Sequence, residues 1–344
     1  LTTFCELTLN LCVTGMASTS SRSAYYESTQ AHKQLNETAK NKAESEGVKF
    51  YRTESASHST RNDGARFDYD SISTFSSVAS AAMQDYYNQL GMQTSFNAYS
   101  YYGHTPLTAA MFSVKYEFTD NTPSLPTNMT EIGSQTYSTG NNAASTVHLY
   151  EYNNTLPLGF MVNMSTEANW NKETGNPFTT QNSFVKTAID SDANIFHQLQ
   201  TTDTVGTFTA KYQLEEDDNY KPSGDAATYD VYFYCVTSSE TLTVNITNGS
   251  ITDDNSTTKT FSSTNQNYIC HVGNVSAGST ITVTASDGQA LTTCYAYAFD
   301  NDAWETAFKL LNKNPYTVES YSDTKITGKV TAKKQGIMYT SIPY

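Results

Sequence analysis

The sequence predicts an N-terminal layered domain of α/β or α+β class over residues 25–203, followed by an antiparallel β-sandwich over residues 204–300. Helical and strand patterns alternate over the first part, which is typical of helices packed on a sheet. In the second part, strand-like runs recur about every 8 to 12 residues between turn-rich segments, as in a sandwich of the jelly-roll or carbohydrate-binding-module type. A chain of 344 residues is long enough for two such cores.

The helices of the first domain are predicted from composition and end signals. Residues 25–46 are rich in Ala, Glu, Lys and Gln and stop at a glycine, which favours a helix. Residues 75–90 open with serines that can cap a helix, carry apolar residues at helical spacing and stop at Gly91. Two shorter helices are predicted at residues 106–111 and 180–189.

The strands of the first domain are predicted where polar and apolar residues alternate. These segments are residues 48–54, 112–118, 147–152 and 158–163. The last two flank Asn153-Asn154, so we expect them to pair with each other. The polar stretch at residues 124–144 is predicted to be a long loop.

The strands predicted for the sandwich include residues 207–214, 229–236, 241–247, 268–272, 280–285 and 294–299. Residues 301–344 are expected to pack on the preceding domains as a helix at 302–311 and strands at 316–322, 325–332 and 336–342. Residues 1–24 do not resemble a signal peptide, since their apolar start is interrupted by Glu6 and Asn10. We expect the chain to be a portion of a longer protein.

The charge balance argues against nucleic acid as a partner. The chain has 34 acidic and 20 basic residues, a formal net charge of −14, and its basic residues form no cluster that could bind a phosphate backbone. Only 16% of residues are charged and 12% are aromatic. The surface should therefore be rich in Asn, Ser, Thr and Tyr, which suits a protein that meets sugars or cell-wall polymer.

No motif for nucleotide binding, serine hydrolysis or zinc catalysis occurs. The five cysteines and six histidines stand at no metal-ligand spacing, so we assign no metal, no cofactor and no catalytic residue. Buried free thiols are favoured for Cys235 and Cys294, which lie in aromatic, strand-like runs. The acidic runs at residues 215–218 and 253–254 could bind Ca²⁺, but solvated turns are favoured because the EF-hand glycine and terminal glutamate are missing.

A candidate ligand site lies at strand ends and loops of the first domain. Arg offers a planar fork for carboxylate or phosphate, and Tyr faces stack on sugar rings. An open alternative is that Arg52 and Glu54, two apart on one strand face, pair with each other or with buried backbone. The predicted binding residues are Arg52, Asn62, Tyr99, Tyr101, Tyr102 and His104.

Several segments, in order along nearly the whole chain, resemble the extracytoplasmic portion of YfhO-type bacterial membrane proteins. The matching segments are ELTLN, FYRTE, YDSISTFSS, LGMQTSFNAYSYYGHTPLTAAMFSVKYEF, LYEYNNTLPLGFMVN, QNSFVKTA, ITGKV and GIMYTSIPY. The motif positions that this resemblance carries over are Tyr51, Arg52, Ser76, Ser77, Gly103, Lys115, Tyr116, Pro157 and Gly159. Some of them are expected to be structural, since Pro and Gly shape turns.

The resemblance implies a polytopic protein similar to GT-C glycosyltransferases, which transfer sugars from a lipid-linked donor onto cell-wall polymers such as lipoteichoic acid in Gram-positive bacteria. In that architecture the catalytic carboxylates lie in loops between N-terminal membrane helices, outside this chain. The resemblance therefore implies a location at the cell membrane, on its extracytoplasmic side, with attachment through flanking transmembrane helices. It also implies that residues 1–24 are a membrane-proximal segment.

Two functions from different classes are open. The first is a non-catalytic module that binds cell-wall polymer or another carbohydrate and presents the acceptor to a membrane-embedded active site. The second is a structural or protein-interaction ectodomain without sugar binding. A free-standing hydrolase ranks third, because paired carboxylates cannot be located by spacing alone.

Overall fold

A computed structural model describes residues 5, 6, 8, 22–120, 128–140, 143–204, 207–214, 220, 228–276, 278–322 and 324–342. Its first elements are α1 (Arg22–Ser45), β1 (Arg52–Ser55), α2 (Asp63–Phe67), β2 (Thr74–Phe75), α3 (Ala81–Gln89), β3 (Thr94–Ser95), β4 (Ala98–Tyr99), α4 (Pro106–Met111), β5 (Val114–Thr119), β6 (Met129–Gly140), β7 (Ala143–Tyr152), β8 (Gly159–Val162), α5 (Thr166–Asn169) and α6 (Pro177–Ile189). They are followed by β9 (Phe196–Thr204), β10 (Thr207–Leu214), β11 (Thr228–Thr237), β12 (Thr241–Thr247), β13 (Thr258–Ser262), β14 (Cys270–Ser276), β15 (Thr280–Ala285), β16 (Leu291–Phe299), α7 (Asn301–Leu311), β17 (Tyr316–Ser322), β18 (Lys325–Val330) and β19 (Ile337–Thr340).

Helix α1 packs on a four-stranded sheet with the order β1-β5-β7-β6. The strands β1 and β5 run parallel, whereas β5–β7 and β7–β6 are antiparallel. The buried helix residues Ala31, Leu35, Ala39 and Ala43 recur at intervals of four, so they form one stripe along the helix. This stripe contacts buried sheet residues such as Phe118.

The second sheet is antiparallel and has eight strands, in the order β13-β12-β15-β10-β9-β16-β11-β14. The period of two along β11 sends Val231 and Phe233 into a core shared with β12, β14 and β15. The intervening Tyr232 and Tyr234 enter a different core, in which they meet Phe178 of α6 and Trp304 of α7. Strand β11 is therefore buried on both faces, and the helices cover one side of the sheet.

These layers confirm a fold of α+β class with antiparallel sheets. The jelly-roll topology and the domain boundaries at residues 24, 203 and 300 stay predictions. Most of residues 1–24 lie outside the described residues, as does the acidic run at residues 215–218. The described acidic pair at residues 253–254 is exposed, and the Asp254 carboxylate accepts a hydrogen bond from Ser256 N within its turn. Of the two cysteines expected to be buried, Cys235 is buried, whereas Cys294 is half-buried.

The prediction of a loop at residues 124–144 is wrong, because strand β6 occupies most of it. Backbone pairing holds β6 to β7, from Met129 opposite Tyr152 to Gly140 opposite Ala143. None of residues 129–139 is buried, so the strand carries no apolar alternation that a sequence pattern could detect.

The hairpin expected around Asn153-Asn154 is also wrong. Strand β7 pairs with β5 and β6, whereas β8 pairs antiparallel with β19, placing Gly159 opposite Thr340 and Val162 opposite Ile337. A local pattern cannot reveal a partner so far along the chain.

Two predicted helices have different starts in the structure. Helix α3 begins at Ala81, because Phe75 belongs to β2. Helix α6 begins earlier than expected, at Pro177, because the Asn176 side chain caps it by accepting from Phe178 N.

Candidate functional site

The six predicted binding residues do not gather in one pocket. Arg52 and Tyr99 line one cavity, whereas Tyr102 and His104 line another. Tyr101 is buried between them. The remaining residue, Asn62, binds the last residue of β2: its side chain accepts a hydrogen bond from Phe75 N and donates one to Phe75 O.

The first cavity has a volume of about 310 Å³, and we call it the tyrosine pocket. Its rings come from α3, β4, the segment after α5 and β19. Tyr86 and Tyr339 join their hydroxyl groups at 2.7 Å across it. The residues that define the pocket are Arg52, Tyr86, Tyr87, Tyr99, Trp170 and Tyr339.

The second cavity has a volume of about 490 Å³ and lies where the loops of the first sheet meet the eight-stranded sheet. We call it the histidine cleft. The ring of Tyr102 lies 6.1 Å from that of Tyr268, with an interplanar angle of 28°. The residues that define the cleft are His58, Tyr102, His104, Glu117, Asp120, Lys259, Phe261, Tyr268 and His271.

Glu117 is the buried acid of the histidine cleft. Its Oε2 accepts hydrogen bonds from the Tyr101 and Tyr152 hydroxyls, both at 2.8 Å, and lies 3.5 Å from His104 Nε2. Burial raises the pKa of Glu117 to about 7 and lowers the pKa of His104 to about 3. Because His104 stacks on Tyr101 with ring centroids 3.8 Å apart, this pair is held in a fixed geometry.

A second buried acid, Glu54, lies behind His58. Ser71 and Ser73 donate their hydroxyls to the Glu54 carboxylate, and the backbone N–H groups of Ile72 and Ser73 donate to it as well. His58 Nε2 is 3.8 Å from Glu54 Oε2. Burial raises the pKa of Glu54 to about 7 and lowers that of His58 to about 4.

The two sides of the histidine cleft are joined by backbone contacts at two glycines. Ile269 N donates to Gly91 O at 2.8 Å. Gly91 and Gly103 both have left-handed backbone, with φ of +80° and +85°. A Cβ at Gly103 would collide with Gly91 O and would lie 2.9 Å from Tyr268 Cβ. Only glycine allows this close approach.

The far wall of the cleft combines His271 and a thiol. Asp230 Oδ1 lies 2.5 Å from His271 Nε2, and Tyr232 stacks on the His271 ring at 4.5 Å. Burial raises the pKa of the neighbouring Cys270 thiol well above its ordinary value, so this thiol is no nucleophile. Within the described ranges, no group of three or more His, Cys, Asp or Glu side chains could hold a metal ion.

The cleft therefore offers aromatic faces, imidazoles and carboxylates to a ligand, with Lys259 as its cation. Such a set suits hydroxyl groups and sugar faces better than a polyanion. Sequence reasoning found Tyr102 and His104 from the aromatic run YSYYGH. It missed Glu117, His58 and the wall contributed by β14, because no spacing links residues from separate sheets.

A comparison with protein families matches residues 1–344 to the family described as "Bacterial membrane protein YfhO". The chain belongs to the YfhO family. The predicted resemblance is thereby confirmed, and the chain is part of a family of membrane proteins. Searches of curated proteins and of solved structures give no match. Among the helices in the described part of this YfhO-family chain, none has the length and apolar character needed to cross a membrane.

Some of the motif positions carried over from the YfhO resemblance have clear structural contacts. Lys115 forms ion pairs with Glu151 at 2.6 Å and with Glu46 at 3.0 Å, which ties β5 to β7 and to the end of α1. Gly159 lies where a Cβ would come within 3.0 to 3.2 Å of the paired strand β19 and of Tyr316. These contacts stabilise the fold and leave Gly103 as the motif position that shapes the histidine cleft.

Proposed function

We propose that this chain is a non-catalytic extracytoplasmic part of a polytopic membrane glycosyltransferase that modifies cell-wall polymer such as lipoteichoic acid in Gram-positive bacteria. Its role is to hold the acceptor polymer near the membrane-embedded active site. The histidine cleft is the proposed place of contact. The observation that carries the proposal is the facing pair of tyrosine rings, Tyr102 and Tyr268, beside buried acids and imidazoles.

The charges of the cleft favour the sugar units of a polymer over its phosphates. Glu117, Asp120 and Asp230 lie around the cleft, while Lys259 donates to Val272 O and stacks over Phe261. Carboxylates repel phosphate but accept hydrogen bonds from sugar hydroxyls. The jelly-roll arrangement predicted for residues 204–300 would add the architecture of many carbohydrate-binding domains.

Tyr102→Ala is expected to weaken retention on immobilised, glycosylated lipoteichoic acid about fivefold, because a ring stacked on a sugar contributes about 1 kcal/mol. The matched control is Tyr295→Ala, which removes a half-buried tyrosine of β16 that borders neither cavity. The measurement is affinity chromatography or biolayer interferometry with purified polymer. Equal retention of the parent and the Tyr102 variant would contradict the site.

The chain alone is expected to transfer no sugar, because the catalytic carboxylates implied by the resemblance lie outside it. The measurement is incubation with lipid-linked sugar and polymer, followed by product detection. Turnover that is abolished by a point substitution within residues 1–344 would overturn this expectation.

A second candidate function, a protein-interaction ectodomain, is favoured by an exposed apolar patch. Phe75 is 51% exposed, Val78 88% and Phe96 87%. Their segments are adjacent, since Ser76 N donates to Asn97 O. Exposed apolar side chains that cluster in this way are typical of contact surfaces. Binding of polymer that persists in Phe96→Ser but is lost in Tyr102→Ala would favour the carbohydrate function over this one.

A further inference from the structure

Arg52 is a buried cation without an anionic partner. Its side chain is 1% exposed and makes no ion pair with any described residue, since its hydrogen bonds go to Phe112 O, Ser341 Oγ and Ser341 O, at 2.5, 3.1 and 2.5 Å. A buried charge is costly unless an opposite charge compensates it. The three neutral acceptors hold the guanidinium in place but leave its charge uncompensated.

The guanidinium also has donors to spare. Arginine carries five N–H donors, and three of them are used: two on Nη1 and one on Nη2. The Nε–H is buried and has no partner, and one N–H of Nη2 remains as well. Carboxylates and phosphates engage two guanidinium N–H groups at once.

The two acids whose charges act on Arg52, Glu54 and Asp70, make their hydrogen bonds to other residues. Glu54 accepts from Ser71 and Ser73, and Asp70 accepts from the Tyr321 hydroxyl at 3.0 Å. The side chain of Arg52 therefore borders the tyrosine pocket as a buried cation that makes no ion pair with a described residue and has aromatic rings around it.

We propose that the tyrosine pocket is a binding site for a small ligand made of one ring that carries a phosphate or a carboxylate. The spare donors of Arg52 bind the oxyanion, and Tyr86, Tyr99 and Trp170 enclose the ring. A volume of about 310 Å³ is at the lower end for ligand pockets, which limits the body of the ligand to about one ring. This site is separate from the histidine cleft and does not depend on polymer binding.

The test is isothermal titration calorimetry of the whole chain with phenyl phosphate, benzoate and glucose 6-phosphate, with phenol and glucose as neutral counterparts. Phenyl phosphate or benzoate binding, without phenol binding, supports an aromatic ligand. Glucose 6-phosphate binding, without glucose binding, supports a sugar phosphate. If no anionic probe binds better than its neutral counterpart, the proposal is overturned.

Two variants locate the binding. Arg52→Lys keeps the charge but loses the fork, and it should weaken binding of the anionic probe at least about tenfold. Should that variant fail to fold, Tyr99→Ala removes a half-buried ring of the same pocket and should also weaken binding. Tyr102→Ala, in the histidine cleft, and Tyr295→Ala should leave it unchanged. Equal affinity in the parent and Tyr99→Ala would overturn the assignment to this pocket.

Discussion

Replacing Gly103 by alanine is expected to lower the free energy of unfolding by about 3 kcal/mol and to disrupt the histidine cleft. The backbone φ of +85° is unfavourable for alanine. The added Cβ also collides with Gly91 O, the acceptor of the hydrogen bond from Ile269 N. Since both strands of backbone are buried in the junction between the two sheets, neither can move without loss of packing.

Urea denaturation of the parent and the variant measures this loss. Gly288→Ala is the matched control, because Gly288 has a φ of +72° but no atom within 4 Å of its added Cβ. This control should cost only about 1 kcal/mol, the backbone contribution alone. If both variants lose a similar amount of unfolding free energy, the close approach at Gly103 does not contribute to stability.

Glu117→Gln is expected to change how stability depends on pH. In the unfolded chain at about pH 5 to 6, Glu117 is ionised and His104 is protonated, so the pair binds one proton. In the folded chain the pair also binds one proton, because the pKa of Glu117 is raised to about 7 and that of His104 is lowered to about 3. The pair therefore adds no slope to the stability of the parent in this range.

The substitution Glu117→Gln removes the proton that Glu117 binds in the folded chain, but leaves the proton that His104 binds in the unfolded chain. In Glu117→Gln, the unfolded chain still binds a proton at His104 between about pH 4 and 6.5, whereas the folded chain does not. Stability should then rise with pH, relative to the parent, by about 1.4 kcal/mol per pH unit. Urea titrations at about pH 5 and pH 6 measure the slope.

The control is Glu305→Gln, since Glu305 is exposed and pairs with Lys309 on the surface of α7. The free energy of unfolding of this variant should depend on pH in the same way as that of the parent. If the free energy of unfolding of Glu117→Gln also has the same pH dependence as that of the parent, the proton balance proposed for Glu117 and His104 is incorrect.

The elements that could be predicted from the sequence are those with a recognisable pattern within their own segment. The composition and terminal glycine of residues 25–46 and the strand-like run at residues 229–236 are such signals, and the structure has α1 and β11 at these places. Strand β6 was missed because none of residues 129–139 is buried. The pairing of β8 with β19 was missed because it joins segments that are remote in the chain.

The residues of the candidate site likewise include some that a local sequence pattern reveals and others that it does not. The aromatic run around Tyr102 predicts a ligand surface, and Tyr102 and His104 of that run line the histidine cleft, whereas Tyr99 lines the tyrosine pocket. Arg52 was expected at a surface because β1 reads as a half-buried strand, but all four residues of β1 are buried. The open alternative for Arg52 is answered in part: it bonds to backbone carbonyls and makes no pair with Glu54. The pattern within β1 could not show that the remote segment around Ser341 covers Arg52.

The pairing of β8 with β19 also sets an order of events during synthesis. Tyr339 and Ser341 both line the tyrosine pocket, and Ser341 also accepts hydrogen bonds from Arg52. Both residues leave the ribosome long after Arg52, Tyr86, Tyr99 and Trp170. Before that point, β8 lacks its strand partner β19, and the Arg52 guanidinium lacks two of its three acceptors. The pocket is therefore completed only after residue 341 has been synthesised, whereas the residues of the histidine cleft are all present by residue 271.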